Sequence, residues 1–114
     1  MRATLLQMKN LGRSVPSGYK IRWLRTALKN LDDETIYIAQ DNPQAAVVPV
    51  KHVLGMVDAL AEYPAVGRPG RVPGTRELII TGTPYLIPYR AKGKAVEILR
   101  VFHGSRRWPS NFDE

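Results

Sequence analysis

Residues 75–104 read TRELIITGTPYLIPYRAKGKAVEILRVFHG, and their pattern is the clearest indication of the fold. It contains three runs of β character, at residues 75–80, 84–90 and 95–102, which two short glycine-containing turns separate. Strand runs joined this closely predict an antiparallel meander. The third run is mostly apolar at both alternating sets of positions, so we expect that strand to lie inside the sheet and to be covered on both faces.

A proline interrupts the second of these runs. Pro88 has no backbone N–H and cannot donate to a strand ladder. We therefore expect a free strand edge or a β-bulge at this position.

The residues before the meander predict a strand and two helices. Residues 19–23 alternate between apolar and basic side chains, which is typical of a strand. Steps of three and four predict a helix from about residue 24 to about residue 40, with its stripe formed by Leu24, Leu28, Leu31, Thr35 and Ile38. Asn42-Pro43 is a favourable start for a second helix, which ends at Tyr63-Pro64. Pro49 predicts a kink or a helix that begins near Val50.

Together these elements predict an α+β fold. Its parts are an N-terminal strand and an antiparallel helical hairpin packed on one face of an antiparallel β-meander. The chain of 114 residues has room for one such domain, at residues 19–109, with an extension at residues 1–18 and a short tail at residues 110–114.

Composition narrows the class of protein. A hydrophobic content of 44% and a charged content of 24% exclude a fully disordered or collagen-like chain. The chain has no cysteine, which excludes a disulfide framework and a thiol nucleophile. It has neither a secretory signal nor an apolar run of about 20 residues, so we expect a cytoplasmic protein without a membrane segment. No metal-binding or cofactor-binding motif is present, and we expect no metal and no cofactor.

The charge is positive overall and unevenly distributed. The 17 Lys and Arg residues against 10 Asp and Glu residues give a net charge of +7. Residues 1–31 carry +7, residues 32–62 carry −5 and residues 63–114 carry +5. Two basic ends around an acidic middle predict a surface for an acidic partner, although such a charge also serves solubility alone.

Few residues form a candidate catalytic group. His103 follows the last strand run, near Arg100, Arg106 and Arg107, where it could act as a general acid or base on a phosphodiester. A histidine that only closes the sheet would fit the same pattern. Glu77 and Glu97 lie on different strands, and each could meet a basic side chain across the sheet.

The residues at four places, in this order and at these spacings, resemble the RelE/ParE superfamily of bacterial type II toxins. The four stretches are YIAQDNPQAA at residues 37–46, LAEYPAVGRPG at residues 60–70, GTREL at residues 74–78 and VEILRVFHGSRRWP at residues 96–109. The resemblance implies the fold given above, a growth-inhibiting toxin and a cognate antitoxin that wraps it, and it allows a toxin-antitoxin hetero-oligomer.

The resemblance leaves two targets open. ParE-like members poison DNA gyrase and have no recognised active site, whereas RelE-like members cleave mRNA on the ribosome. Arg106 matches a phosphate-contacting arginine of the cleaving toxins, but Thr81 and Phe112 stand where those toxins carry an arginine and a catalytic tyrosine.

The ParE-like reading is therefore preferred, and the residues expected to contact the target are Arg76, Arg90, Arg100, Arg106, Arg107 and Trp108. In the nuclease alternative, His103, Arg100 and Arg106 would carry the chemistry. A degenerate, non-toxic module that only binds its antitoxin is a third reading, because Pro49, Pro88 and the long N-terminal extension depart from a regular member.

Overall fold

The computed structural model describes residues 18–40, 42–104 and 112. The described part of the chain begins with a strand and two helical segments, β1 (Lys20–Trp23), α1 (Arg25–Ala39) and α2 (Val47–Asp58). Short 3-10 turns flank α2 at Pro43–Ala46 and Ala59–Ala61. The strands that follow are β2 (Arg68–Pro69), β3 (Arg76–Ile79), β4 (Tyr85–Lys92), β5 (Ala95–Ile98) and β6 (Phe102–His103). The predicted α+β fold, with two helices on a mostly antiparallel sheet, is confirmed.

The strands form one sheet in the order β1-β5-β4-β3-β2. Strands β2 to β5 pair antiparallel, as the meander requires, and β1 pairs parallel with β5. Strand β5 therefore lies between β1 and β4, which confirms its predicted internal position. The parallel pairing of β1 was not specified by the sequence pattern, because alternation assigns side chains to faces and does not choose a partner strand.

The strand that pairs with β4 contains a β-bulge opposite Pro88. Tyr89 pairs with Ile98, but Leu86 pairs with Phe102, so the partner strand contributes one residue more than β4 between these two pairs. The bulge separates β5 from β6, and it lies where a proline in a central strand withholds its N–H from the ladder. Of the two possibilities that Pro88 raised, the structure contains the bulge.

The two helices cover one face of the sheet. The core joins Ala27, Val53, Val57 and Leu60 from the helical layer with alternate residues of the strands. The predicted stripe of α1 is wrong at Leu28, whose surface is 47% exposed, because the small side chain of Ala27 points to the sheet instead. Of the two possibilities that Pro49 raised, a helix start near Val50 is wrong by three residues, because α2 begins at Val47, directly after the 3-10 turn Pro43–Ala46. Pro49 is the third residue of α2, where a missing N–H leaves no helical hydrogen bond unmade.

A second, smaller apolar cluster lies on the opposite face of the sheet. Val72, Leu99 and Phe112 are its buried members, and Leu24 and Phe102 pack against them. Phe112 falls within the sequence-predicted tail at residues 110–114, and yet its side chain is buried.

Among the described residues, one segment, Pro43–Ala61, is long and apolar enough to meet a length-and-composition criterion for a membrane-spanning helix. The segment consists of two 3-10 turns around α2, and Val53, Val57 and Leu60 from it belong to the core. Core helices of soluble proteins meet the same criterion, so the observation is weak evidence for a membrane span.

Candidate functional site

The face of the sheet that points away from the helices carries two clusters of arginine and glutamate. Val96 and Ile98 of β5 point into the helix-covered core, so Glu97 between them points to the other face. Glu77 of β3 alternates in the same way with Leu78. We call this surface, with Glu77, Glu97 and the basic side chains around them, the outer sheet face.

Glu97 lies at the centre of a ladder across three strands. It is the direct cross-strand partner of Arg90 on β4 and of Arg22 on β1. The Arg90 Nε donates a hydrogen bond of 2.8 Å to Glu97 Oε1, and an Arg22 guanidinium nitrogen lies 3.8 Å from Glu97 Oε2. The hydrogen bond from Arg90 lowers the pKa of Glu97 against the opposing effect of its burial, and the charges of Arg90, Lys92 and Arg22 lower it further. The carboxylate is therefore held in its charged form beneath the two arginines.

Glu77 is the centre of the second cluster and is almost fully buried. The Arg68 Nε donates to Glu77 Oε1 at 3.0 Å, and the backbone N–H of Arg71 donates to Glu77 Oε2 at 2.9 Å. The Arg71 Nε lies 3.7 Å from the same oxygen. The Glu77 carboxylate on β3 thus binds both the edge strand β2 and the residues that directly follow β2.

A buried tyrosine on the core side of the sheet holds the segment that leads into β2. The Tyr89 hydroxyl accepts a hydrogen bond of 2.8 Å from the Gly67 N–H and donates one of 2.8 Å to the Pro64 carbonyl. Burial raises the pKa of this hydroxyl. A Cβ at Gly67 would lie 2.6 Å from the tyrosine oxygen, so the close approach requires glycine.

The outer sheet face exposes more positive than negative charge. The side chains of Arg22, Arg68, Arg71 and Arg90 are between 37% and 64% exposed, whereas both glutamates lie beneath them. Lys20 and Lys92 extend the Arg22–Glu97–Arg90 ladder by two residues, since both pair with Ala95. Exposed guanidinium groups over buried carboxylates form a basic surface whose geometry is fixed from below.

The structure places the sequence-predicted contact residues in different surroundings. Arg90 belongs to the outer sheet face. Arg76 is partly buried and donates a 2.8 Å hydrogen bond to the Gly67 carbonyl, so it supports the segment that leads into β2. Arg106, Arg107 and Trp108 lie outside the described residues.

Arg100 departs from its predicted role at the surface. It is 7% exposed, it donates to the Leu99 carbonyl at 2.6 Å, and its guanidinium carbon lies 5.3 Å from the centre of the Phe112 ring. The physical reason is the bulge at residues 99–101. It interrupts the alternation by which successive side chains of a strand point to opposite faces of the sheet, so alternation no longer fixes the direction of the Arg100 side chain. In this position its guanidinium is covered by protein.

His103 is partly buried at the end of the sheet. It pairs with Tyr85 across β4 and β6, and the two rings meet edge to face with their centroids 6.1 Å apart. His103 and Arg100 thus have different ring partners, Tyr85 and Phe112. Within residues 18–40, 42–104 and 112, no group of three His, Cys, Asp or Glu side chains could hold a metal ion.

Sequence reasoning found the two glutamates and missed three of their arginine partners. The expected cross-strand pairing of Glu77 and Glu97 with basic residues is confirmed. Arg22, Arg68 and Arg71 were not singled out. The alternation of residues 19–23 could have assigned Arg22 to the face opposite the core, but only the pairing of β1 with β5 brings it to Glu97.

Comparison with known proteins agrees with this architecture. The model of the family described as ParE toxin of the type II toxin-antitoxin system, parDE, matches residues 21–108. The chain is 51% identical over 90 residues to the Sinorhizobium fredii protein Y4kP, covering 79% of this chain and 93% of that protein. It is 34% identical over 87 residues to the toxin RelE2 of Caulobacter vibrioides, covering 76% and 97% of the two chains.

Two solved structures share the fold. A chain of the chromosomal ParDE system from P. aeruginosa superposes with a TM-score of 0.69 at 31% identity, over 76% of this chain and 97% of that chain. A chain of the RelBE2 toxin-antitoxin complex from Mycobacterium tuberculosis gives a TM-score of 0.52 at 30% identity, over 75% and 98%. The chain is therefore a member of the ParE toxin family of type II toxin-antitoxin systems, within the RelE/ParE superfamily.

Proposed function

We propose that this toxin inhibits growth by binding DNA gyrase through the outer sheet face, without catalysis of its own. The family match is to ParE toxins, and the similarity to a ParDE system supports the same reading. A second support is chemical, because a fixed basic surface suits the recognition of an acidic protein or nucleic-acid surface.

The observation that carries the proposal is that the arginine side chains of the described sheet are bound to partners within the protein. Arg90 is bound to Glu97 and Arg68 to Glu77, while Arg100 is buried beneath Phe112. A nuclease needs guanidinium groups that converge on a reacting phosphate. The guanidinium groups of Arg68 and Arg90 are instead held by two different carboxylates on the outer sheet face, and that of Arg100 is held by the Leu99 carbonyl.

A ribosome-dependent mRNA endonuclease is the second candidate. It is favoured by the 34% identity to a toxin named RelE2 and by the fold shared with RelBE2. In that reading His103 is the general acid or base, and Arg106 contacts the phosphate. Arg100 would reach the phosphate only after Phe112 had moved away from it.

A cognate antitoxin is the expected partner, since both solved relatives belong to toxin-antitoxin systems. We expect its docking segment to be acidic, because complementary charge speeds and orients association with a basic surface. We expect the toxin and the antitoxin to form a hetero-oligomer in the cytoplasm.

Purified gyrase and a translation extract separate the two candidates. Inhibition of supercoiling with intact mRNA supports the gyrase proposal, and cuts in mRNA at codon positions without an effect on gyrase contradict it. Induced expression that leaves growth unchanged would instead favour a non-toxic module.

A charge-reversal pair tests the proposed surface. Lys92→Glu lies on the outer sheet face, and Lys51→Glu on α2 is its matched control, since both residues are exposed. We expect Lys92→Glu to weaken the inhibition of gyrase and Lys51→Glu to leave it unchanged. Equal inhibition by the two variants would remove the outer sheet face from the proposal.

A further inference from the structure

The ladder between β4 and the strand beside it lacks one hydrogen bond at Pro88. The Leu99 N–H donates to the Pro88 carbonyl at 2.9 Å. In an antiparallel ladder, two residues that face each other in this way exchange both of their N–H···O bonds. Pro88 has no N–H, so the return bond to the Leu99 carbonyl cannot form. The proline therefore leaves the Leu99 carbonyl without its donor from β4.

That carbonyl belongs to the interior of the protein. Leu99 is 0% exposed, and Pro88 opposite it is also fully buried. A buried carbonyl without a partner costs free energy comparable to that of a lost hydrogen bond, and nearly all such groups are paired in folded proteins. The donor that Pro88 withholds must therefore be replaced by another group.

The replacement donor is the side chain of the next residue. The Arg100 Nη1 donates a hydrogen bond of 2.6 Å to the Leu99 carbonyl, and Arg100 is 7% exposed. Charged donors form shorter and stronger hydrogen bonds than neutral ones, so a guanidinium is a suitable substitute for a backbone N–H. The buried position of Arg100 and the missing N–H of Pro88 are thus two parts of one arrangement.

A second side chain fixes the bulge on the other side of Arg100. The Val101 N–H donates to the Asn30 Oδ1 of α1 at 3.1 Å. Val101 is 1% exposed, so its N–H also requires a partner inside the protein. Each peptide group that flanks Arg100 is therefore bonded to a side chain, and the bulge is held where the guanidinium reaches the Leu99 carbonyl.

We propose that Pro88 is a positioning residue that directs the Arg100 guanidinium into the protein by withholding the strand donor of the Leu99 carbonyl. Arg100 then serves the backbone of the sheet and makes no contact with the target. The Phe112 ring covers the guanidinium in this position, with its centre 5.3 Å from the guanidinium carbon. This inference goes beyond the proposed function, because it holds whichever target the toxin has.

A double-mutant cycle in the full chain tests the link between Pro88 and Arg100. Pro88→Val restores an N–H at position 88, and Arg100→Met removes the guanidinium but retains an unbranched side chain. We expect Arg100→Met to raise the unfolding equilibrium constant, measured in urea, at least about tenfold in the wild-type background and less than about threefold in the Pro88→Val background. Pro88→Ala also restores the N–H and adds no bulk, so it provides a second background for the same comparison.

Arg90→Met is the matched control for this cycle. Arg90 also donates across the β4–β5 pair, but its acceptor is the Glu97 carboxylate. Its substitution should therefore have the same effect with and without Pro88. An effect of Arg100→Met that is equally large in the wild-type, Pro88→Val and Pro88→Ala backgrounds would contradict the proposal.

Chemical modification of arginine measures the position of the guanidinium directly. Butanedione reacts with accessible guanidinium groups, and mass spectrometry assigns the modified residues. In the wild type, Arg100 should react far more slowly than Arg90, whose side chain is 37% exposed. We expect Pro88→Val to raise the rate at Arg100 at least about fivefold and to leave the rate at Arg90 unchanged, since a guanidinium without its acceptor is exposed more often. An unchanged rate at Arg100 would assign its buried position to Phe112 and overturn the role of Pro88.

A growth assay separates a role in the fold from a contact with the target. Pro88→Val combined with Arg100→Met should inhibit growth as strongly as Pro88→Val alone, because the guanidinium is no longer needed by the sheet. The same comparison in the Pro88→Ala background repeats the test. A folded double variant that is less toxic than its Pro88 parent would return Arg100 to the residues that contact the target.

Discussion

Replacing Glu97 with glutamine removes the negative charge at the centre of the Arg22–Glu97–Arg90 ladder and retains the shape of the side chain. The carboxylate accepts a 2.8 Å hydrogen bond from Arg90, and hydrogen bonds to charged groups contribute roughly 1.5–3 kcal/mol. Because the Arg90 side chain is 37% exposed, solvent screens the pair, and we expect a loss of about 1.5 kcal/mol in the free energy of unfolding. For a domain of this size that loss lowers Tm by roughly 5–9 °C.

The pH dependence of this loss provides the sharper test. The pKa of Glu97 is lowered in the folded protein from its ordinary value of 4.5. A lowered pKa stabilises the fold above the unfolded-state pKa, and that stability is lost as the pH falls through the folded-state pKa. The difference between wild type and Glu97→Gln should therefore be complete near neutral pH and should shrink below about pH 4.

Urea unfolding of both proteins across this pH range measures the difference. Asp32→Asn removes an exposed carboxylate on α1 and serves as the control, with a change within about 0.5 kcal/mol. A double-mutant cycle with Arg90→Met isolates the pair from the rest of the cluster. A Glu97→Gln protein as stable as wild type at neutral pH would contradict the stabilising role of the Arg90–Glu97 pair, as would a difference that persists unchanged in acid.

Three further predictions concern the Tyr89 hydroxyl, the Phe112 ring and the arginines at positions 106 and 107. Tyr89→Phe leaves the buried Gly67 N–H without its partner and should lower the free energy of unfolding by about 1–3 kcal/mol, measured by urea unfolding; an unchanged stability would contradict the role given to the hydroxyl. Phe112→Ala should cost about 3 kcal/mol in the same measurement and Phe112→Leu less than half of that, whereas two harmless substitutions would show that this ring does not stabilise the fold. Arg106→Ala combined with Arg107→Ala should reduce toxicity in a growth assay more than it reduces Tm, and equal losses of both would argue against a contact role for these residues.

The element order could be predicted from the sequence because it depends on local patterns. The alternation in residues 75–102, the glycines of the turns and the helical spacing of apolar residues each report on a few neighbouring positions. Gly82 and Gly93 adopt positive φ angles of 80° and 61°, as turns between antiparallel strands require. Pro88 also carried information, since the ladder has its bulge where this proline cannot donate.

The candidate site was less predictable, as Arg100 illustrates. Its charge predicts a surface residue in line with other arginines. The extra residue of the bulge instead brings the Arg100 side chain against the Phe112 ring. Phe112 lies in the stretch that the sequence predicts to be a short tail, and yet it belongs to the smaller apolar cluster. Neither contact follows from sequence spacing, because both bring Phe112 against residues that are distant from it in the chain.

The α+β class and the internal position of the last long strand follow from the sequence alone, because both are consequences of local periodicity. The sequence also allows Glu77 and Glu97 to meet basic side chains across the sheet. The strand pairing of the folded chain buries both carboxylates and selects the arginines that bind them. The parallel pairing of β1 with β5 brings Arg22 to Glu97, and the pairing of β2 with β3 brings Arg68 to Glu77, because strand register joins residues that are far apart in the chain.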